Sequence, residues 1–282
     1  MKAIILDHDA GTNPDDFFAL LLLLRHPAAD LRLVISGNNF PRERARFAHK
    51  IISQYGAENI IVCAGEETGH IDFHAQQYIE NYEPNISTDY QAAIKEVLDT
   101  YNDVIYVCIQ GCANIATFLQ NYPGYRDTFS IYHMGAKLDP VTDFIGGGTN
   151  MEADPLAAKY LYELGLEKFW VVGSHTTIND AIRATPETAI YKRLTSSSES
   201  NHTLLLKHLH DYFDRRDMWP ALHDPLTTAV ALDHKYVTFV PQTLEFNDRG
   251  EYRVSSDGVE VMISEPAIQQ PDDFMRLMAE MV

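Results

Sequence analysis

From its amino end, the chain alternates short, continuous apolar runs with longer segments of helical periodicity. The runs fall at residues 3–6, 31–36, 60–63, 104–109, 130–133 and 169–172, and helix-like segments at 15–25, 43–55, 90–99, 114–120 and 155–164 lie between them. Runs this short and rich in Ile, Val and Leu lack the apolar–polar alternation of a strand with one wet face. They read as strands covered on both sides. Their alternation with helices predicts an α/β chain with a doubly wound, mostly parallel, Rossmann-like sheet. After Gly173 the pattern loosens. The polar stretch 195–202 (TSSSESNH) predicts a loop, and helices follow at 204–215 and 225–232. Alternating runs at 237–246, 252–255 and 259–263 predict a small antiparallel extension, and a last helix covers 271–281. No repeat or linker divides the chain, so residues 1–282 are expected to form a single domain.

Composition narrows the function. A 45% hydrophobic content supplies a core and argues against disorder. With 22 basic and 40 acidic residues the net charge is −18, which opposes a general nucleic-acid partner or an anionic membrane surface. The longest apolar run, residues 17–24, is well short of the roughly 20 residues that span a bilayer. The apolar run at 3–6 is too short for a signal-peptide core. Cys63, Cys108 and Cys112 form no CxxC pair and are expected to be buried, reduced thiols, so a cytoplasmic location is expected. His74, His175, His208 and His210 read as surface groups.

The densest chemistry follows the first run. In DHDAGTNPDD, Asp7, Asp9, Asp15 and Asp16 crowd the carboxyl end of a predicted strand, the edge where ligands bind in open parallel sheets. Asp7 and Asp9 are two apart and share a face on an extended chain. Crowded carboxylates repel unless a cation lies between them, and all-oxygen donors suit Ca²⁺ or Mg²⁺. Helix capping accounts for Asp15 and Asp16 but not for Asp7 and Asp9. Taken alone, Asp224 reads equally as a helix cap beside Pro225, Asn38 as a turn residue, and Asn114 as a structural helix-start residue. A strand ending in DxD also suits a Mg²⁺-dependent phosphatase of the haloacid-dehalogenase type, with Asp7 as nucleophile. The later Lys and acidic pair of that type are missing.

A second resemblance continues along the chain. DHDAGTNPDD resembles the DxDxGxDD signature of the calcium-dependent nucleoside hydrolases (nucleoside N-ribohydrolases). It is followed in order by LRLVISGNN, IYVCIQGCANIATFLQ, IYHMGAK, TNMEADPLAAKYL, VVGSHTT and WPALHDPLTTAVALD, each similar to a family segment, over about residues 2–235. The resemblance implies the nucleoside hydrolase fold and hydrolysis of an N-glycosidic bond by a Ca²⁺-bound water. It implies Asp9, Asp16, Asp224 and the Ile109 carbonyl as calcium ligands, with Asp7 behind them. Asp9 would also be the general base. Asp15, Asn38 and Asn150 would hold the ribose, and His223 would meet the leaving base. A small nucleoside-like substrate and a homodimer or homotetramer are implied as partners. Three departures stand out: two extra residues precede Asp15, Gly148 replaces the Glu expected at the ribose 5′-hydroxyl, and residues 65–80 do not match the family's His-Gly flap segment. A ribosyl-binding protein without turnover is the non-enzymatic alternative that these departures motivate.

Overall fold

The computed structural model describes residues 1–69, 71–138 and 143–282. In chain order the elements are β1 (Lys2–His8), α1 (Asp15–Arg25), β2 (Ala29–Ser36), α2 (Pro41–Gln54), β3 (Ile61–Ala64), α3 (Tyr90–Thr100), β4 (Val104–Cys108) and α4 (Ala113–Asn121). They continue with β5 (Ser130–Met134), α5 (Thr149–Ala153), α6 (Pro155–Glu163), β6 (Phe169–Val172), α7 (Ser174–Thr177), α8 (Ala189–Ser196), α9 (Ser200–Arg216) and α10 (His223–Leu232). The chain closes with β7 (Phe239–Phe246), β8 (Tyr252–Val254), β9 (Val259–Ser264) and α11 (Pro271–Met281).

Among the described residues the strands form one nine-stranded sheet in the order β3-β2-β1-β4-β5-β6-β9-β7-β8. The pairs from β3 to β9 are parallel, while β7 runs antiparallel to both β9 and β8. The predicted parallel sheet and antiparallel extension are both present. Side-chain parity splits the core into two layers. Ile4 and Leu6 of β1, with Ile105 and Val107 of β4, face the layer built on α1, α2 and α10. Ala3, Ile5, Tyr106 and Cys108 face the layer of α3, α4 and α6. Helix α1 is buried from Asp15 to Leu23, which is why its sequence is apolar all round.

The strand order reverses between β1 and β4. Connections leave that point to opposite sides and open a crevice beyond the carboxyl ends of the two strands. The acidic segment after β1 and Ile109 after β4 therefore meet there.

The predicted loop at 195–202 is mostly helical: α8 runs to Ser196 and α9 starts at Ser200. The buried residues His202, Leu205, His208 and Leu209 recur on one face of α9, and tertiary burial outweighs the polar composition of its first turn. This also corrects the reading of His208 as a surface group. Its ring is fully buried against Phe47 and Tyr78.

Candidate active site

Strand β1 ends at His8, and the chain turns through Gly11, whose φ is +113°. A Cβ on Gly11 would also lie 2.3 Å from the Phe73 ring, so conformation and contact both require glycine. His8 shapes the turn. Its Nδ1 accepts from the Ala10 amide at 3.0 Å, so Nε2 carries the proton and donates to Ser36 Oγ at 2.9 Å. Burial lowers its pKa to about 3, and the ring is neutral.

The turn separates Asp7 from Asp9. Asp7 keeps strand parity and points into the α3/α4 layer, where its carboxylate accepts from Tyr106 Oη (2.7 Å), Asn114 Nδ2 (2.8 Å) and Gln110 Nε2. Its pKa is about 7 because burial outweighs those three donors. The shared face expected for Asp7 and Asp9 is thus not formed: the strand has ended before Asp9. Asp7 is absent from the cavity wall, where a phosphatase nucleophile would have to stand. It fastens the β4–α4 loop instead, since its backbone carbonyl also accepts from the Ile109 amide at 2.8 Å.

Asp9, Asp15, Asp16 and Asp224 line a cavity of about 420 Å³. Carboxylate oxygens of Asp15, Asp16 and Asp224 lie within 4.8 Å of one another. The Asp9 amide donates to Asp16 Oδ1 at 3.1 Å. Burial is the largest cause raising all four pKa values; charge repulsion within the cluster raises Asp15, Asp16 and Asp224 further, whereas Arg44 and then the Asn38 hydrogen bond lower Asp9. Asp15 reaches about 7. Its Oδ1 is buried without a hydrogen-bond partner, as is Oδ1 of Asn13, another residue of the cavity wall. Repelling carboxylates with an orphaned oxygen fit a hard dication, which supplies the missing partner and offsets the charge. Of the acids expected to crowd one cation, Asp9, Asp15, Asp16 and Asp224 share this cavity, whereas Asp7 stands outside it.

The other expected residues divide into wall and support. Ile109 and Asn150 line the cavity, and Asn150 Nδ2 donates to the Met134 carbonyl (2.9 Å) and the Ile109 carbonyl (3.3 Å). His223, in the first turn of α10, also faces the cavity, with Nδ1 on Thr177 Oγ1 at 2.8 Å. Burial and then Arg183 lower its pKa to about 4. Asn38 is buried behind Asp9. Its Nδ2 donates to Asp9 Oδ2 at 2.9 Å, and it is not among the residues lining the cavity. Asn114 is structural as weighed, bonding Asp7 and the Glu66 amide (2.7 Å). Gly148 lies in the cavity wall with φ +95°, and a Cβ there would meet nothing within 4 Å, so the place of the expected Glu is open space. Tyr212 is an aromatic of the wall; Phe213 instead stacks on Trp219 at 4.6 Å.

Sequence reasoning missed Arg44, which is fully buried in α2. Its guanidinium donates to the carbonyls of Asn39 (2.6 Å), Asp9, Ala10 (3.1 Å) and Ile71 (2.9 Å), tying the β1–α1 loop to segment 71–72. The turn before α2 makes this possible through left-handed Asn38 (φ 65°) and Phe40 (φ 59°). Arg215 adds a bond from α9 to the Thr12 carbonyl at 3.1 Å.

The family model described as inosine-uridine preferring nucleoside hydrolase matches residues 4–266. Among solved structures, the chain is similar to the purine-preferring ribonucleoside hydrolase from Gardnerella vaginalis, with 21% identity, 99% of each chain covered and a TM-score of 0.81. It is also similar to the inosine-uridine preferring nucleoside hydrolase from Bacillus anthracis (15% identity, 100% of both chains, TM-score 0.76). A plant nucleoside hydrolase is a third, at 20% identity over 99% of this chain and 98% of that one, with a TM-score of 0.77. At these identities the three structures establish a shared fold. A comparison with curated proteins gave no match. Among the described residues no helix is long and apolar enough to cross a membrane.

Proposed function

The chain belongs to the inosine-uridine preferring nucleoside hydrolase family and is an N-ribosyl hydrolase, and from that premise we propose that it cleaves a small, neutral ribonucleoside with Ca²⁺ held by its acid cluster. The observation that carries the proposal is the convergence of Asp15, Asp16 and Asp224 in the cavity at the reversal of the strand order. Asp9, Asp16, Asp224 and the Ile109 carbonyl would hold the ion, with Asp15 beside it. When bound, Ca²⁺ lowers the pKa of water at the site and grips sugar hydroxyls. Calcium analysis of protein dialysed against the ion is expected to return one Ca²⁺ per chain, whereas a chain that retains none overturns the metal assignment.

Asp9 is the base in this reading. Asn38 fixes one of its oxygens, which aims the carboxylate, and Arg44 lies close enough to favour its ionised form. It takes the proton from the water that attacks the anomeric carbon. As the glycosidic bond breaks the sugar acquires oxocarbenium character, and the surrounding carboxylates stabilise that positive charge. Asp15 is placed to take a ribose hydroxyl, and Asn150 supports the opposite wall.

The departing base gains a hydrogen bond from neutral His223. With Nδ1 facing Thr177, Nε2 is the nitrogen free to serve the base, and Tyr212 supplies a face for stacking. A His223→Gln variant is expected to lose about 10²-fold in kcat on inosine or uridine, the lower end for proton-donating groups. The same variant should lose only a few-fold on a riboside whose leaving group needs no proton, such as p-nitrophenyl riboside. Equal losses on both substrates would show that His223 does not serve the leaving group.

Stability should report the cluster independently. In metal-free protein Asp15 has a folded-state pKa of about 7 against an ordinary 3.8. Its protonated form therefore favours folding below about pH 4, and that contribution is lost as pH rises through 7. Calcium needs the ionised acids, so its effect has the opposite trend. Calcium at 100 times its Kd adds about 2.7 kcal/mol, roughly 5–10 °C in Tm, near pH 8. Thermal scans with calcium and with chelator should differ far less at pH 5. A gain that is the same at both pH values would contradict the cluster as the binding site.

A further inference from the structure

A second group of metal-ligating side chains lies under the β4–α4 loop, on the opposite face of the sheet from α1. Cys108 ends β4, and Cys112 stands just before α4. His133 is the register partner of Cys108 on β5. All three side chains are fully buried, and none lines the cavity of the acid cluster. The loop turns back within three residues, so the C-x₃-C spacing brings both sulfurs to the same imidazole. One donor atom from each of the three residues lies within 4.8 Å of the other two.

The finer distances resemble the edges of a coordination tetrahedron. Cys112 Sγ is 3.6 Å from His133 Nε2. The Gln110 carbonyl oxygen is 3.5 Å from Cys108 Sγ and 3.2 Å from His133 Nε2. Around tetrahedral zinc, with Zn–S about 2.3 Å and Zn–N about 2.0–2.1 Å, adjacent donors are about 3.4–3.8 Å apart. The remaining ring nitrogen is held as a metal-bound histidine requires. His133 Nδ1 faces Tyr162 Oη at 2.9 Å, so ligation through Nε2 leaves an Nδ1–H to donate to the tyrosine.

We propose that Cys108, Cys112, His133 and the Gln110 carbonyl form a structural site for a thiophilic dication, with zinc the best fit. Two thiolates neutralise the charge of the ion, which suits a site without solvent, and their protons leave when the metal enters. Sulfur and imidazole donors select a soft or borderline ion, whereas the all-oxygen acid cluster selects a hard one, so the two sites do not compete. The ion would lock the loop that carries Ile109 and that Gln110 ties to Asp7. This inference stands apart from the hydrolytic reading and does not depend on it. Burial implies loading during folding.

The test uses Co²⁺ as the probe. Protein is produced in cobalt-supplemented medium, purified under reducing conditions, and saturated with Ca²⁺ to fill the acid cluster. One cobalt per chain is expected, with near-ultraviolet thiolate-to-cobalt absorption and the strong visible bands of four-coordinate cobalt. Cys112→Ser should remove these bands, and Cys63→Ser, on β3, should keep them. Should Cys112→Ser fail to fold, the zinc-loaded wild-type chain gives a second readout: a thiol-titrating organomercurial releases one zinc per chain. Folded wild-type protein with no thiolate–cobalt absorption overturns the proposal, and so does a Cys108–Cys112 disulfide detected by peptide mass.

Discussion

An Asp16→Asn variant is expected to lose about 10³-fold in kcat/KM for base release, on the order of 4 kcal/mol of transition-state stabilisation. Asp16 stands at the centre of the cluster: its oxygens meet those of Asp15 and Asp224, and its Oδ1 also accepts the Asp9 amide. Asparagine nearly preserves shape and can still accept that amide, so the fold survives while one negative donor disappears. Calcium affinity should fall together with activity. In chelator the variant should melt no lower than the wild type, because neutralising Asp16 relieves repulsion from Asp9 and Asp15. A variant that keeps calcium and retains activity within threefold would remove Asp16 from the site.

Arg44→Met is expected to cost about 3–5 kcal/mol of stability, the range for breaking a buried charge arrangement from one side. The guanidinium is enclosed by loop carbonyls and lies over the Phe73 ring at 5.5 Å. Methionine fills much of the volume but leaves those carbonyls without donors and Asp9 and Asp16 without their nearest cation. Urea unfolding at pH 7 would give the difference. A loss below 1 kcal/mol would mean that the two loops hold their geometry without the clamp.

Much of this was legible because the relevant signals are local. Short, uniformly apolar runs could only be doubly covered strands, and their order with helices implied the crevice. Asp9, Asp15 and Asp16 were visible because three acids near an apolar strand end have no use in a core. What stayed hidden depends on partners distant in the chain. Arg44 sits in PRERARF, a segment that reads as an ordinary amphipathic helix, and its acceptors Asp9, Ala10 and Ile71 belong to loops 27 to 35 residues away. His208 lies in a helix with a polar first turn, and only tertiary packing decides that its ring faces Phe47. The parting of Asp7 from Asp9 follows from one turn that breaks strand parity after His8. The bond from Asn38 to Asp9 was equally hidden, since it depends on a left-handed backbone at Asn38 and a partner 29 residues away.

The most direct test of the account is base release from inosine and uridine by protein stripped with chelator and then reconstituted with Ca²⁺. The account predicts no release in the stripped state and full recovery as one Ca²⁺ per chain is restored. Release that persists undiminished in chelator, or none from any nucleoside after calcium is restored, would contradict it.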